Sequence, residues 1–99
     1  MIIKIPFHQR FIVPIASGNK TYTSRTKKYG KVGDCFYLVG KVIKCEIVNI
    51  RKEKLGIIAK NFWREEGFIS REEFIGFWLT IHRKWTPEKE VWLHRFQRC

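Results

Sequence analysis

The sequence is poor in acidic residues and has no long apolar run. Only nine of its 99 residues are Asp or Glu, and Asp34 is the single aspartate. No stretch approaches the 18 or more apolar residues of a membrane span. Charge interrupts residues 1–10 too early for a secretory signal peptide. We therefore expect a cytoplasmic protein without a membrane partner.

The spacing of the cysteines and histidines does not indicate a metal site. The cysteines are Cys35, Cys45 and Cys99, and the histidines are His8, His82 and His94. An odd number of cysteines without C-x-x-C spacing indicates neither a disulfide framework nor a zinc site. The histidines are too scattered to supply one. We expect no metal and no cofactor.

Basic and aromatic residues are abundant. Lys and Arg number 20, which gives a formal net charge of +11, and 15% of the residues are aromatic. Residues 1–60 contain 13 basic and 3 acidic groups, whereas residues 61–99 contain 7 and 6. An excess of positive charge can simply keep a protein soluble, but its segregation favours an acidic partner such as nucleic acid or an anionic membrane surface.

The length and the apolar pattern predict one small α+β domain over residues 1–99. Strands are predicted over 2–5, 20–26, 35–40, 41–50 and 90–97, and helices over 7–17, 54–64 and 70–82. Pro14 is expected to kink the first helix, Gly18 to end it, and Ser70 with Glu73 to form a capping box for the last. The order β-α-β-β-β-α-α-β suggests a small mixed, mainly antiparallel β-barrel flanked by helices.

The stretch GNKTYTSRTKKYGKVGD, residues 18–34, is the strongest candidate site. On a strand, positions 21, 23 and 25 share one face, so Thr23 and Arg25 point the same way, and Lys20 at the strand's start can turn toward them. A lysine whose pKa is lowered by burial can activate a hydroxyl, and an arginine suits a phosphate or carboxylate. The alternative is a threonine-rich strand facing solvent.

A second feature lies at residues 64–74, REEGFISREEF. Gly67 interrupts two helical segments, and Glu65 and Glu66 precede the start of the second. A carboxylate here could reach a neighbouring cavity, or it could be surface charge favoured by the helix dipole.

Aromatic rings beside cations give a third feature. Residues 82–85, HRKW, suit stacking on an unpaired base, although cations are also common where a helix ends. Trp63, Trp78 and Trp92 fall in apolar patterns and are predicted to be core. Tyr22 and Tyr29 beside the basic loop are better candidates for exposed stacking.

These landmarks together resemble the ASCH domains of the PUA-like superfamily. The motif G-x-K-x-x-T-x-R appears as residues 18–25, a Val-Gly-Asp turn follows at 32–34, and Glu-Gly-Phe stands at 66–68. The final strand falls where such domains end. The resemblance spans nearly the whole chain.

The resemblance implies a small β-barrel with helices and a cleft beside it. PUA-like domains mostly bind RNA, and small bacterial ASCH proteins include amidohydrolases that deacetylate acetylated cytidine. Carried over to this chain, Lys20 would activate, Thr23 would be the nucleophile, Glu66 would handle protons, and Arg25 would orient the substrate.

Two principal hypotheses follow, and they are compatible. In the first, the protein binds RNA in the cleft, with Lys27, Lys28 and Lys31 on phosphates and Tyr22 stacking on a base. In the second, it hydrolyses a modified nucleoside such as acetylated cytidine through Lys20, Thr23 and Glu66. The high basic charge exceeds what a nucleoside enzyme needs and favours a polynucleotide. A DNA-binding or host-factor-binding protein is a third possibility.

Overall fold

The computed structural model describes residues 1–99. It contains four strands and three α-helices. The helices are α1 (Ile12–Ser17), α2 (Leu55–Asn61) and α3 (Arg71–His82), and a 3-10 turn, Gln9–Phe11, leads into α1. The strands are β1 (Tyr22–Arg25), β2 (Cys35–Leu38), β3 (Ile43–Lys54) and β4 (Glu90–Arg98). No helix has the length and apolar character that crossing a membrane requires.

The strands form one antiparallel sheet in the order β1-β4-β3-β2. Strand β4 lies between β1 and β3, so that His94 is opposite Thr23 on one side and Ile50 on the other. The sheet curls into a half-barrel, which confirms the mainly antiparallel α+β class. Because β1 and β2 do not pair, β1 remains an edge strand whose free side can face a cavity.

The predicted strand over residues 2–5 is wrong. Ile2 makes a single parallel bridge to Cys35, and the backbone of Ile3 donates to the carbonyl of Cys35 over 2.8 Å. Pro6 follows at once, has no amide to donate and restricts the residue before it. Residues 2–5 are therefore attached to β2 by these bonds but do not form a strand.

The first helix is shorter than predicted and begins at Ile12. Pro14 is its third residue, inside the first turn, where amides have no partner within the helix. Pro14 therefore costs no hydrogen bond and need not kink the helix. Gly18 ends α1 with a φ of 85°, as its position predicted.

Strand β3 is longer at its C-terminal end than the apolar pattern predicts. Strand β3 continues to Lys54, because residues 51–54 pair with residues 90–93 of β4. Residues 41–42, assigned to this strand, instead lie in the β2–β3 turn. The helix predicted over 54–64 is limited to Leu55–Asn61, and α3 begins after Ser70, whose hydroxyl accepts from the amide of Glu73 over 3.0 Å.

The core lies between the sheet and the helices. Its most enclosed side chains come from α1, α2 and strands β2, β3 and β4: Ile15, Phe36, Cys45, Ile47, Leu55, Ile58, Val91 and Leu93. Of the tryptophans predicted as core, only Trp78 is fully buried. Trp63 is half-buried against the core, whereas Trp92 is half-exposed, with the ammonium groups of Lys28 and Lys52 over its ring at 5.5 and 5.0 Å.

Candidate functional site

The backbone carbonyl of Glu65 joins the two candidate segments. It accepts from the amides of Thr21 and Tyr22 over 2.8 and 3.0 Å. These bonds hold the turn after α2 against the entrance to β1, although Tyr22 and Glu65 are 43 positions apart in the sequence. Glu65 thus contributes to this junction through its backbone carbonyl. The carboxylate that lines the pocket belongs to the next residue, Glu66.

Lys20 and Glu66 form a buried ion pair. Lys20 Nζ lies 3.5 Å from Glu66 Oε1, and the two residues are 2% and 3% exposed. The ammonium also donates to the carbonyls of Tyr22 and Glu66 over 2.7 and 2.6 Å, and it lies 4.4 Å from the ring centroid of Phe11. A buried cation with several acceptors is fixed in place, which suits a group that must meet a ligand.

Burial lowers the pKa of Lys20 from 10.5 to about 8. Loss of solvation is the largest cause, and the positive charge of Arg25 acts in the same direction. The carboxylate of Glu66 opposes the shift but does not cancel it. Near pH 8 a substantial fraction of Lys20 is therefore neutral and able to accept a proton.

Three consecutive residues of β1 line the same pocket. Ser24 Oγ donates to Glu66 Oε2, and Arg25 Nε donates to Thr23 Oγ1 over 3.0 Å. Arg25 Nη2 also donates to the carbonyl of Pro6 over 2.6 Å, which ties the N-terminal segment to the site. Strand alternation had placed Ser24 on the opposite face; because β1 is an edge strand, side chains of both orientations reach the pocket.

The pocket has a volume of about 260 Å³ and two unlike walls. The polar wall consists of Lys20, Thr23, Ser24, Arg25 and Glu66. The aromatic wall consists of Phe11, Phe68, Phe74, Phe77 and Trp78, and Phe11 adjoins the polar wall because its ring contacts the Lys20 ammonium. In the sequence Phe11, Phe74, Phe77 and Trp78 follow helical periodicity and are typical of core residues, because no pattern distinguishes a ring that faces a cavity from one that faces another side chain.

The structure divides the predicted RNA contacts into two groups. Lys27 and Tyr29 line the pocket together with Arg25. Lys28, Lys31 and Tyr22 do not. Lys28 and Lys31 are exposed on the loop between β1 and β2, and the ring of Tyr22 lies 5.3 Å from that of Phe62. Tyr22 is therefore half-buried against α2's end rather than free to stack.

His94 anchors the loop between β1 and β2 by a hydrogen bond, a role that its sequence context did not indicate. Its side chain is completely buried, and Nε2 accepts from the amide of Tyr29 over 3.0 Å. Nδ1 lies 3.1 Å from the carbonyl of Trp92 and 3.3 Å from that of Thr23, so it carries the proton. Loss of solvation lowers the pKa of His94, and the ring is neutral at pH 7. His94 thereby positions Tyr29 at the mouth of the pocket.

No three His, Cys, Asp or Glu side chains converge as a metal site would require. The polar groups that line the pocket are the ammonium groups of Lys20 and Lys27, the Arg25 guanidinium, the Glu66 carboxylate, the hydroxyls of Thr23, Ser24, Thr26 and Tyr29, and the imidazoles of His8 and His82.

Comparison with known proteins gives matches at the level of structure. No protein-family model matches the sequence, and no curated protein matches it significantly. The ASCH domain from Lactobacillus crispatus JV V101 superposes with a TM-score of 0.69 and 15% identity, over 97% of this chain and 76% of that one. Protein PF0455 from Pyrococcus furiosus superposes with a TM-score of 0.73 and 19% identity, over 99% and 97%. Hypothetical protein PH0355 gives 0.72 and 18%, over 94% of each chain.

Proposed function

We propose that this chain, which has the fold of an ASCH domain, binds single-stranded RNA and places one base in the pocket beside β1. The observation that carries the proposal is the pairing of an aromatic wall with a wall of buried hydrogen-bonding groups. Bases are recognised in single strands by stacking on rings and by hydrogen bonds to their edges. Both kinds of contact are available within one pocket here.

The size of the pocket supports a ligand of one base. Its volume of about 260 Å³ is just below the range of pockets that hold drug-sized molecules, roughly 300–1,000 Å³. The face of a planar ring can lie against Phe77 or Trp78, while its edge meets the Ser24 hydroxyl, the Glu66 carboxylate and the Arg25 guanidinium. These three groups supply donors and an acceptor, as an edge of a base requires.

Cations at the mouth support a polynucleotide ligand. Lys27 lines the pocket, and Lys28 and Lys31 follow on the same exposed loop. None of the three ammonium groups lies within 4.0 Å of a carboxylate oxygen, whereas six other ion pairs are formed in the molecule. A loop of unpaired cations that reaches the pocket at Lys27 suits the phosphates of a polynucleotide whose base is bound there.

Fluorescence anisotropy with a labelled single-stranded RNA tests the proposal. Affinity should fall with salt, with a log–log slope of about 0.7 for each phosphate contact. Phe77→Ala should weaken binding by roughly 1–3 kcal/mol, the usual worth of one stacked base. Phe62→Ala is the matched control, because Phe62 is also half-buried but does not line the pocket.

Two results would contradict RNA binding in this pocket. One is an affinity that does not change between low and high salt. The other is an equal loss of affinity in Phe77→Ala and Phe62→Ala, when circular dichroism shows both variants to be folded.

Amide hydrolysis of a modified nucleoside, such as acetylated cytidine, is a second candidate function. The lowered pKa of Lys20, about 8, favours it, since a neutral amine can accept the proton of an attacking hydroxyl. Thr23 and Ser24 both supply hydroxyls to the pocket. Lys20 Nζ donates to two carbonyls and makes no hydrogen bond to Thr23, so the substrate would have to bring these two groups together.

Chromatography of acetylcytidine incubated with the protein tests hydrolysis. The expected products are cytidine and acetate, with Thr23→Val inactive and Ser24→Ala active if Thr23 is the nucleophile. The reverse order of activities would assign the nucleophile to Ser24. The same turnover in both variants and in buffer would reject the hydrolase and leave RNA binding unaffected.

A further inference from the structure

A second hollow adjoins the pocket and has a different character. It has a volume of about 370 Å³ and is lined by Thr26, Trp78, His82, Lys84, Thr86 and Lys89. We call it the lysine hollow. Three of its residues, Thr26, Trp78 and His82, also line the base pocket. The two cavities are therefore neighbours that share a wall.

The shared wall is a stacked pair of rings. The centroids of Trp78 and His82 lie 4.0 Å apart with an angle of 28° between their planes. The two rings come from successive turns of α3, and the stack stands between the cavities. A base in the pocket thus has the lysine hollow on the other side of this wall.

The backbone after α3 brings the two lysines to the hollow. Arg83 takes a left-handed conformation with a φ of 60°, which ends α3 and turns the chain. The amide of Lys89 donates to the carbonyl of Thr86 over 3.0 Å and closes the turn that follows. Lys84 and Lys89 therefore approach the same hollow from the two ends of one loop.

Neither lysine of the hollow is neutralised by the protein. No carboxylate oxygen lies within 4.0 Å of Lys84 or Lys89, and the neighbouring Glu88 is paired with Lys54 over 3.0 Å. The charge of Lys89 is felt at His82, whose pKa is lowered first by loss of solvation and then by that charge. The hollow is thus a positively charged cavity with two hydroxyls, those of Thr26 and Thr86, which suits an anion.

We infer that the lysine hollow is a phosphate subsite, which holds the backbone phosphate next to the nucleotide whose base fills the pocket. The inference rests on the proposed function and makes it more specific. The preferred ligand is an oligonucleotide of at least two residues rather than a free nucleoside. The Trp78–His82 stack separates the base from the phosphate, and Lys84 with Lys89 supplies the positive charge.

Calorimetric titration with the four ribonucleosides and the matching homodinucleotides tests the inference. The wild-type protein should bind at least one dinucleotide roughly tenfold or more tightly than its nucleoside, the gain expected for one charge-assisted phosphate contact. The double variant K84Q/K89Q should lose that gain and keep its nucleoside affinity. K41Q/K44Q is the control with the same change of charge, on two exposed lysines that line neither cavity.

The salt dependence of binding to a short single-stranded RNA provides a second measurement. K84Q/K89Q should reduce the log–log slope by about 0.7, the loss of one phosphate contact, and K41Q/K44Q should not change it. Equal slopes in the two variants, or equal affinities of wild type for a nucleoside and its dinucleotide, would overturn the phosphate subsite while RNA binding stands. Failure of wild type to bind any of these probes would overturn the proposed function and the subsite together.

Discussion

Lys20 Nζ lies 3.5 Å from Glu66 Oε1 in a part of the molecule from which water is almost completely excluded. The two charges come from the start of an edge strand and from a turn 46 residues later. Removing a lysine and a carboxylate from water is expensive, and the attraction between them often fails to repay the cost. An ion pair of this kind is therefore poorly explained by stability alone.

The first prediction concerns the coupling between these two residues. Lys20→Met should destabilise the protein by about 3 kcal/mol, because it leaves the Glu66 carboxylate buried without its cation. The double variant Lys20→Met/Glu66→Gln should be more stable than the sum of the two single losses predicts. Urea denaturation of the four proteins measures the coupling. Strict additivity would show that the two side chains do not interact.

The second prediction is a pH dependence that belongs to Lys20. Its pKa is about 8 in the folded protein and 10.5 as the ordinary value, so between these pH values the unfolded chain binds more protons. Stability relative to Lys20→Met should therefore rise as the pH increases from about 8 to 10.5. Urea denaturation of both proteins across this range isolates the effect, because all other titrating groups are common to both. A constant or falling difference would contradict the lowered pKa.

The third prediction concerns Gly67, which packs against the Lys20 side chain. Its φ is 98°, and an added Cβ would lie 3.1 Å from Lys20 Cβ and 3.3 Å from Cγ and Cδ. Gly67→Ala should cost about 1–2 kcal/mol of stability from backbone strain alone, and displacement of Lys20 should weaken RNA binding as well.

Gly76→Ala is the matched control for that substitution. Gly76 lies inside α3, and an added Cβ there meets nothing within 4 Å. Alanine should therefore stabilise the protein by up to about 1 kcal/mol. Thermal denaturation of both variants makes the comparison, and equal melting temperatures would show that the left-handed backbone of Gly67 does not require glycine.

The fourth prediction concerns the hydrogen bond between Tyr29 and His94. The pKa of His94 is lowered below 6.5 by burial, so stability from the neutral ring is present above pH 6.5 and is lost as the pH falls toward the folded-state pKa. Protonation places a hydrogen on Nε2, which then cannot accept from the Tyr29 amide. The protection factor of this amide, measured by NMR hydrogen exchange, should fall on acidification.

His94→Phe supplies the reference for this measurement. Phenylalanine has no ring nitrogen, so the Tyr29 amide should be poorly protected at every pH. His82→Gln should retain the wild-type dependence, because His82 does not contact Tyr29. A protection factor that is the same at low and neutral pH in the wild type would mean that His94 does not control the loop.

The sequence specified the local elements where short-range chemistry decides them. Gly18 ends α1 because glycine accepts a left-handed conformation, and Ser70 caps α3 because its hydroxyl replaces a missing helical partner. The apolar runs predicted as strands over 35–40 and 41–50 form strands over Cys35–Leu38 and Ile43–Lys54. The expected strand at 2–5 failed because strand formation needs a partner along its whole length, which a few residues before a proline do not have.

Some residues of the candidate site were identified from the sequence, and others were found only in the structure. Lys20, Thr23, Arg25 and Glu66 were identified from the sequence, partly through the resemblance, and the structure places all four around one pocket. Ser24 was missed because alternation assigns it to the other face, and His94 because a lone histidine in an apolar strand carries no signal. The aromatic wall was missed because a ring facing a cavity and a ring facing the core follow the same period.

By itself, the sequence determined most of the helices and strands and that the molecule is strongly basic, since propensity, capping and charge act within a few residues. Only the tertiary structure decided that Glu66 meets Lys20, that Lys27 lies at the pocket whereas Lys28 and Lys31 do not, and that Lys84 and Lys89 share a hollow with Trp78. Such meetings depend on how distant elements pack, and packing is fixed by the burial of the whole core rather than by any one segment.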